Sequence, residues 1–285
     1  MSFDVVVGNP PYQGNQSAGN KTHSLWKKFI KKSTNLLYNN GCLIFVVPST
    51  WIGDKKTYKL FIRGYLSYAK LLSKKVFNQT VGVDVSYFMW HNTKSNKNTN
   101  LELQCGDIID FNINNTDMPT SIIDRKSISI HRKIISQQSL TTNQSSIYYA
   151  HKSYSELNKY PIYNTTAQGL CWSDRKPGDL SYKKVLFSNC GTYKTVFDDG
   201  TMGTCWHSHS IIVKNKEEAD CLISYLNSKI IKFFNKINRT GGFMNETFPY
   251  HIPKIDLSKT WTDQELYQHF NLTQEEIDYI EESLK

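Results

Sequence analysis

The chain has 285 residues, of which 39% are hydrophobic and 13% aromatic, a composition that fits a folded protein and excludes a disordered one. Its apolar runs, such as Cys42–Pro48, are too short to span a bilayer, and the N-terminus carries no secretion signal, so we expect a cytoplasmic protein with reduced cysteines. The net charge of +9 is uneven, with +11 in residues 1–100 and −6 in residues 256–285. The basic first third suggests a polyanionic partner, although a lysine-rich composition with solvated faces explains the charge equally well.

The first half of the chain predicts alternating strands and helices. Phe3–Val7 predicts a short buried strand, Thr22–Tyr38 an amphipathic helix that stops at Asn39–Gly41, and Cys42–Val47 a parallel strand covered on both faces. Strand, helix and strand in this order form a βαβ unit. The remaining predicted elements are a helix at Lys56–Tyr68 and strands at Ala69–Val76, Val83–Trp90 and within Leu101–Ile113.

The second half has a different texture. A helical patch at Ile122–Ile135 precedes a domain boundary that we place near residue 145, and short strands such as Lys184–Phe187 and His209–Val213 follow. An apolar stripe predicts one helix over Lys216–Lys236. Two acidic helices close the chain, the second with a capping box of Thr273 and Glu276. The predicted fold is α/β, with a partial Rossmann-like sheet in residues 1–145 and an α+β domain in residues 146–285.

The tetrapeptide Asn9-Pro10-Pro11-Tyr12, directly after the first strand, suits methyl transfer to an exocyclic amine. An adenine 6-amino group is a poor nucleophile because its lone pair is delocalised into the ring. Acceptors that bind both amine hydrogens favour a more tetrahedral nitrogen, and the Asn9 side chain and the Pro10 carbonyl can serve as these acceptors. Two consecutive prolines restrict the direction of that carbonyl, and Tyr12 can stack on a base rotated out of the duplex. A simple strand-ending turn is the alternative interpretation.

The segment Phe3–Tyr12 resembles the catalytic motif of gamma-type adenine-specific (N-6) DNA methyltransferases, which include TaqI-like enzymes and the methylase part of type IIG restriction-modification proteins. The following helix, Gly41–Trp51 and the strand Val83–Trp90 resemble that family in order as well. The resemblance implies S-adenosyl-L-methionine as methyl donor, double-stranded DNA as substrate, and Asn9, Pro10, Pro11 and Tyr12 as catalytic-motif positions. It also implies Phe88 as a weaker candidate for stacking on the flipped base, against the alternative of a buried strand aromatic.

The sequence departs from that family on the N-terminal side of the motif. Gamma-type enzymes place a glycine-rich strand-to-helix turn for the donor well before the motif, and only eight residues precede Asn9 here. Three explanations stay open: a second subunit that supplies the donor-binding half, a truncated product, and a degenerate protein that binds DNA without methylating it. In an isolated chain that lacks this half of the sheet, Phe3–Val7 would be an exposed apolar edge, which favours a partner.

A target-recognition domain follows in that family, which fits residues 146–285. We name Arg175, Lys176 and Arg239 as DNA contacts because their side chains donate to phosphates and base edges. The wider candidate set is Tyr148, Tyr149, Lys152, Tyr154, Trp172, Tyr193, Lys194, Trp206, His207, His209 and Asn245. Similar motifs also occur in methyltransferases that act on protein glutamine or RNA, but a C-terminal module of this size favours DNA.

Cysteine and histidine residues raise one further possibility. Cys190, Cys205, His207 and His209 lie close together in the sequence, as in some zinc sites. Their spacing matches no standard zinc finger, and buried thiols in a sheet explain it more simply. We therefore predict no metal.

Overall fold

The computed structural model describes residues 2–12, 24–52, 59, 61–73, 76, 84–113, 119, 124–148, 150–165, 168–190, 193–239 and 248–285. The chain divides into two compact units, Met1–Ile128 and Ser129–Lys285. The division lies earlier than the predicted position near residue 145. It falls within one helix, where Ile128 belongs to the apolar core of the first unit and Ile130 and Ile134 to the core of the second.

The first unit is built on a mixed sheet. Among the described residues its strands are β1 (Phe3–Gly8), β2 (Leu37–Pro48), β3 (Tyr65–Leu72), β4 (Val85–His91), β5 (Thr99–Glu102) and β6 (Ile108–Phe111). Their order across the sheet is β1-β2-β4-β3-β5-β6. β1 pairs with β2 and β3 with β5 in parallel, whereas β4 runs antiparallel to both of its neighbours. The helix α1 (Leu25–Thr34) joins β1 to β2, which confirms the predicted βαβ unit.

β2 begins five residues earlier than predicted, at Leu37, and the turn signal Asn39–Gly41 lies inside it. The pairing with β1 is irregular there, because Phe3 is opposite Leu37 and Val5 is opposite Cys42. Asn40 takes up the irregularity with a φ of 65°. A side chain at Gly41 would come within 3.1 Å of the carbonyl oxygens of Phe3 and Asp4. The turn residues therefore form a bulge in the strand and do not terminate the helix, which already ends at Thr34.

Two further predictions for the first unit need correction. The helix expected at Lys56–Tyr68 is wrong for residues 65–68, which open β3 because Leu66 pairs with Trp90 of β4; residues 53–58 and 60 lie outside the described residues. β2 is also not covered equally on both faces, since its residues alternate between buried and half-buried from Cys42 onward. The strands predicted around β4, β5 and β6 are confirmed.

The second unit is α+β. Its described strands are β7 (Tyr160–Tyr163), β8 (Leu170–Ser173), β9 (Lys184–Ser188), β10 (Thr195–Asp198), β11 (Gly203–Thr204) and β12 (Ser208–Ile212), arranged as two three-stranded sheets. Its described helices begin with α2 (Arg125–Ile135), shared with the first unit, and continue with α3 (Lys216–Leu226), α4 (Lys229–Ile237), α5 (Asp263–His269) and α6 (Gln274–Ser283). The capping box of Thr273 and Glu276 is confirmed at α6.

The single helix predicted over Lys216–Lys236 is two helices, α3 and α4, interrupted at Asn227 and Ser228. The Asn227 side chain donates to the Ile223 carbonyl at 2.8 Å and so competes with continuation of the helix. Both helices bury their apolar stripes in one core, which explains why the periodicity runs across the break. No helix in the described part of the chain is long and apolar enough to cross a membrane.

Candidate active site

The Asn9–Tyr12 segment forms a corner at the carboxyl end of β1, an edge strand of the sheet. Asn9 and Pro11 are exposed, Pro10 is buried and Tyr12 is half-buried. Tyr12 packs against the core of the first unit, and its carbonyl accepts a hydrogen bond of 3.2 Å from the Leu25 amide at the start of α1. The corner is therefore anchored on both sides of Asn9 while the Asn9 amide itself faces solvent.

The floor beneath the corner is aromatic. Gly8 is paired with Phe45 of β2, and a Cβ added at Gly8 would lie 3.3 Å from the Phe45 ring. Phe45 in turn packs against Phe88, with ring centroids 6.4 Å apart. Glycine thus lets the backbone before Asn9 approach a rigid aromatic layer closely.

Phe88 belongs to this layer and does not offer a stacking face. It has no exposed surface, and its ring meets Phe61 edge-on at a centroid distance of 4.9 Å. Phe45 and Phe61 belong with it to the apolar core of the first unit and cover the ring. Stacking of Phe88 on a flipped base is incompatible with this burial, and the residue supports the corner by packing.

Replacing Phe88 by Leu tests this assignment. We expect the free energy of unfolding to fall by about 1 kcal/mol because the swap leaves a small packing defect. DNA affinity should not change, since the ring does not reach solvent. Urea unfolding and DNA titration of the same preparation check the prediction, and a selective loss of DNA affinity at unchanged stability would contradict it.

The edge of the sheet that holds the corner also carries residues that sequence reasoning did not single out. Because β1 and β2 are parallel, the end of β2 lies at the same edge as Asn9. The Ser49 amide there donates to the Asp84 carbonyl at 2.9 Å, while the buried Ser49 hydroxyl has no hydrogen-bond partner among the described residues. Trp51 fixes the segment by donating to Ser86 Oγ at 2.7 Å. A polar residue directly after a buried strand was the available signal for Ser49.

The chemistry open to the corner is hydrogen-bond acceptance. Burial raises the pKa of the Tyr12 phenol, so Tyr12 remains protonated at neutral pH and cannot act as a base. Asn9 has no proton to exchange in this range. The residues of the corner can therefore position and polarise an amine, but they cannot relay a proton.

The three basic residues predicted to contact DNA lie in the second unit, in different settings. Arg175 and Lys176 are exposed in the turn after β8, where the Arg175 amide donates to Ser173 Oγ at 3.1 Å. Arg239 is partly buried directly after α4. Arg175 and Lys176 are thus the more accessible of the three.

An exposed aromatic cluster, defined here as Gln144, Tyr148, Trp206, His207 and Tyr250, lies on the second unit. Its rings meet Tyr148 at centroid distances of 6.4 Å for Trp206 and 5.7 Å for His207. The Gln144 side chain donates to the Trp206 carbonyl at 2.7 Å and accepts from the Tyr250 hydroxyl at 3.0 Å. Sequence reasoning singled out three of the five; Gln144 and Tyr250 lack any local signal because only the tertiary fold brings them there.

The cysteine and histidine residues considered for zinc make other contacts. Cys205 Sγ lies 3.3 Å from Asn164 Oδ1, and the His209 ring stacks on Phe187 at 5.8 Å. Burial raises the pKa of the Cys205 thiol and lowers that of His209 to about 4. Within the described residues, no three His, Cys, Asp or Glu side chains group as metal ligands.

The sequence matches known methylases. Residues 1–83 match the family described as Eco57I restriction-modification methylase. An uncharacterized adenine-specific methylase of Mycoplasma pneumoniae is 28% identical over 160 residues, which cover 47% of this chain and 37% of that protein. The type II methyltransferase M.TthHB8I of Thermus thermophilus is 38% identical over 72 residues, covering 18% of this chain and 17% of that enzyme. The chain thus spans well under half the length of either relative.

Solved structures of restriction-modification enzymes show a partial likeness. The structure of the type IIL enzyme MmeI in complex with DNA aligns over 87% of this chain and 45% of the MmeI chain, with 11% sequence identity and a TM-score of 0.46. The structure of the type IIG restriction endonuclease BpuSI aligns over 94% of this chain and 49% of the BpuSI chain, with 10% sequence identity and a TM-score of 0.38. Both TM-scores lie below 0.5, so these likenesses add nothing on function. The matched segment, residues 1–83, contains the Asn9–Tyr12 corner. It also contains Phe45 and Phe61 of the aromatic layer beneath the corner.

Proposed function

We propose that this chain carries the catalytic corner and the target-recognition part of an adenine-specific DNA methyltransferase that uses S-adenosyl-L-methionine. One observation supports it above the others: the exposed Asn9 amide stands beside a buried Pro10 at the carboxyl end of β1, within the segment that matches restriction-modification methylases. Its substrate would be DNA in the cytoplasm.

The proposed mechanism concerns the acceptor amine. Asn9 Oδ1 accepts one hydrogen of the adenine 6-amino group and the Pro10 carbonyl accepts the other, which localises the nitrogen lone pair for attack on a methyl group. The adenine must leave the duplex to reach the corner, and Tyr12 covers its face. Rate enhancement then comes from orientation and from acceptors placed before the reaction begins.

The described residues of this chain do not fit the methyl donor. A donor of this kind is held by a glycine-rich turn between a strand and the following helix. The strand-to-helix connection that is fully described, Val213–Asn215 between β12 and α3, contains no glycine. We therefore assign no residue of this chain to the donor and propose that a second subunit supplies the donor-binding half.

The free edge of the sheet supports such a partner. β1 has only β2 as a neighbour among the described strands, and the side chains of Phe3, Val5 and Val7 are 41%, 53% and 68% exposed. An edge strand with a row of exposed apolar side chains is a template for pairing with another chain. A partner strand would pair with the free backbone groups of β1, the layer packed on that strand would cover these side chains, and the partner would lie beside the corner at Asn9.

Substituting Val5 and Val7 together by Lys tests the partner. We expect the double variant to fold, because both side chains are exposed, and to be more monodisperse than the wild type. Methylation reconstituted with lysate of the native host should be lost, since the charges would prevent pairing at β1. Size-exclusion chromatography and a plasmid methylation assay measure the two effects.

The opposite edge of the sheet supplies the control for that variant. Ile108 of β6 is 52% exposed, so Ile108→Lys adds charge to the other edge strand. We expect it to leave reconstituted methylation intact. Equal loss in both variants, or tight donor binding by the isolated wild-type chain in calorimetry, would overturn the partner proposal.

Recognition of DNA is proposed for the second unit. The aromatic cluster offers exposed rings for stacking on bases, and Gln144 holds it together through its bonds to Trp206 and Tyr250. Arg175 and Lys176 add exposed positive charge. The target sequence does not follow from these residues.

A DNA-binding protein without methylation activity is the second candidate, favoured by the lack of a described donor site. Plasmid methylation in the presence and absence of host lysate separates the two functions. Incorporation of methyl groups at adenine supports the proposed enzyme. DNA binding without incorporation under either condition would establish the inactive specificity protein instead.

A further inference from the structure

The outer face of α1 is a row of lysines. Trp26, Ile30 and Ser33 are buried, and with 100° between successive residues they define one side of the helix. Lys28, Lys31 and Lys32 are exposed and project from the opposite side. We call these three residues the lysine face.

The lysine face has no acidic counterpart. α1 contains no Asp or Glu, and in the described part of the chain no ion pair involves these three lysines. Other basic helices differ, since Lys133 of α2 pairs with Glu276 at 2.7 Å and Lys229 of α4 pairs with Glu281 at 2.5 Å. Like charges three and four positions apart destabilise a helix by about 0.2–0.5 kcal/mol per pair. A face of this kind is better explained by a polyanion that it binds than by solubility.

The lysine face is tied to the Asn9 corner. The Leu25 amide at the start of α1 donates to the Tyr12 carbonyl at 3.2 Å. Lys28 follows one turn later, and Lys28 and Lys32 are separated by about 6 Å along the helix axis. Consecutive phosphates on one DNA strand advance by about 3.4 Å along the duplex axis, so neighbouring phosphates lie within reach of these side chains.

We infer that the lysine face binds the phosphates of duplex DNA beside the base that enters the Asn9 corner. This inference rests on the proposed function and adds to it a contact, made by the catalytic unit itself, that does not depend on DNA sequence. The contact holds the strand next to the corner, whereas the second unit selects the sequence.

An anionic membrane is the other polyanion to consider, and the structure argues against it. A helix that lies on a membrane inserts its apolar face among the lipids. In α1 that face, with Trp26 and Ile30, is buried in the core of the first unit. Phe29, at 41% exposure, is the large apolar side chain of this helix that remains exposed. The apolar face that would insert into a membrane is therefore not available, whereas the three lysines remain accessible to DNA phosphates.

The test compares two charge-neutralised variants of the full chain. Lys28→Gln/Lys31→Gln/Lys32→Gln removes the lysine face, and Lys94→Gln/Lys97→Gln removes two exposed lysines in the connection between β4 and β5. Affinity for a duplex of about 30 base pairs is measured by fluorescence anisotropy over a range of salt concentrations. We expect the triple variant to bind about 10- to 100-fold more weakly at 0.1 M salt and its log–log salt slope to shrink by about 2–3.

The control variant should weaken binding less than threefold, and Lys28→Arg/Lys31→Arg/Lys32→Arg should restore it. Thermal unfolding should show that the triple Gln variant is at least as stable as the wild type, because the repulsion between the lysines is removed. Equal losses in the two Gln variants, unchanged binding in the triple variant, or no DNA binding by the wild type would each overturn the inference. The inference would also be overturned if the triple Gln variant bound phosphatidylserine vesicles more weakly than the wild type while its DNA affinity stayed unchanged.

The assay contains no methylation step and therefore remains informative if the proposed reaction is wrong. A smaller salt slope in the triple Gln variant than in the wild type supports the lysine face whether or not the wild type methylates. Conversely, methylation by the triple Gln variant at saturating DNA would uphold the reaction even if the lysine face were inert.

Discussion

Replacing Asn9 by Ala will lower adenine methylation by at least about 100-fold while DNA affinity stays within about twofold. Removal of one preorganised hydrogen-bonding group from a reacting centre has an effect of this size. Binding should be spared because Asn9 makes one of many proposed DNA contacts, most of which are assigned to the lysine face and the second unit. The measurement is incorporation of labelled methyl groups into plasmid DNA with host lysate added, alongside a DNA titration of the same variant.

The matched control is Asn96→Ala, which removes the same side chain from an exposed position in the connection between β4 and β5. Asn96→Ala should methylate like the wild type. Both variants should unfold at the wild-type temperature, since both side chains are exposed. If Asn9→Ala methylated DNA as fast as the wild type, the proposal that the corner is catalytic would be wrong.

The second large effect is expected on stability, at the ion pair between Lys184 and Asp198. These residues are cross-strand partners in β9 and β10, their side chains have no exposed surface, and Nζ lies 2.6 Å from Oδ2. Lys184→Met leaves the carboxylate buried without its cation. We expect the free energy of unfolding of the second unit to fall by about 3–5 kcal/mol, measured by urea denaturation.

Two companion variants make that result specific. The Thr201 amide donates to Asp198 Oδ1 at 3.0 Å. Lys184→Met/Asp198→Asn removes both charges but keeps an acceptor for this amide. We therefore expect the double variant to regain part of the stability that Lys184→Met loses. Lys216→Met breaks an exposed pair with Asp220 in α3 and should change stability by less than about 0.5 kcal/mol. If Lys184→Met and Lys216→Met lowered the free energy of unfolding equally, burial of the Lys184–Asp198 pair would not explain its contribution to stability.

The same pair gives stability a defined pH dependence. Burial alone would raise the pKa of Asp198, but hydrogen bonds from Lys184 and Thr201 lower it below its usual value. A carboxyl whose folded pKa is depressed contributes stability that is complete above the unfolded pKa of about 3.9 and lost as pH falls through the folded value. The wild type should therefore lose this contribution only below about pH 4.

Local features of the structure could be predicted from the sequence. Asn9–Tyr12 follows β1 as expected because a hydrophobic run and two prolines determine the end of a strand within a few residues. The capping box at Thr273 is equally local. The position of the Asn9–Tyr12 corner was predictable to the same extent, since its residues are consecutive, whereas its role stays a prediction.

Features that depend on distant partners could not be predicted. The first four residues of β3, 65–68, were predicted as the end of a helix, because their pairing partner β4 lies about twenty residues later and determines their backbone. Phe88 is buried by Phe45 and Phe61, which lie 43 and 27 residues earlier in the chain, and the periodicity of β4 does not reveal such contacts. The aromatic cluster combines residues from three separate parts of the chain, so no single window of sequence contains it.

The buried Pro10 next to the exposed Asn9 has a consequence for genetics. One of the two proposed acceptors is a main-chain oxygen, which every amino acid at position 10 would retain. In a scan of single substitutions, changes at Asn9 would therefore lower activity strongly, whereas changes at Pro10 would act only through the direction of the backbone. Side-chain mutagenesis would thus not detect the contribution of the Pro10 carbonyl. Replacing the peptide link after Pro10 by chemical synthesis, and not by a codon change, is the way to see it.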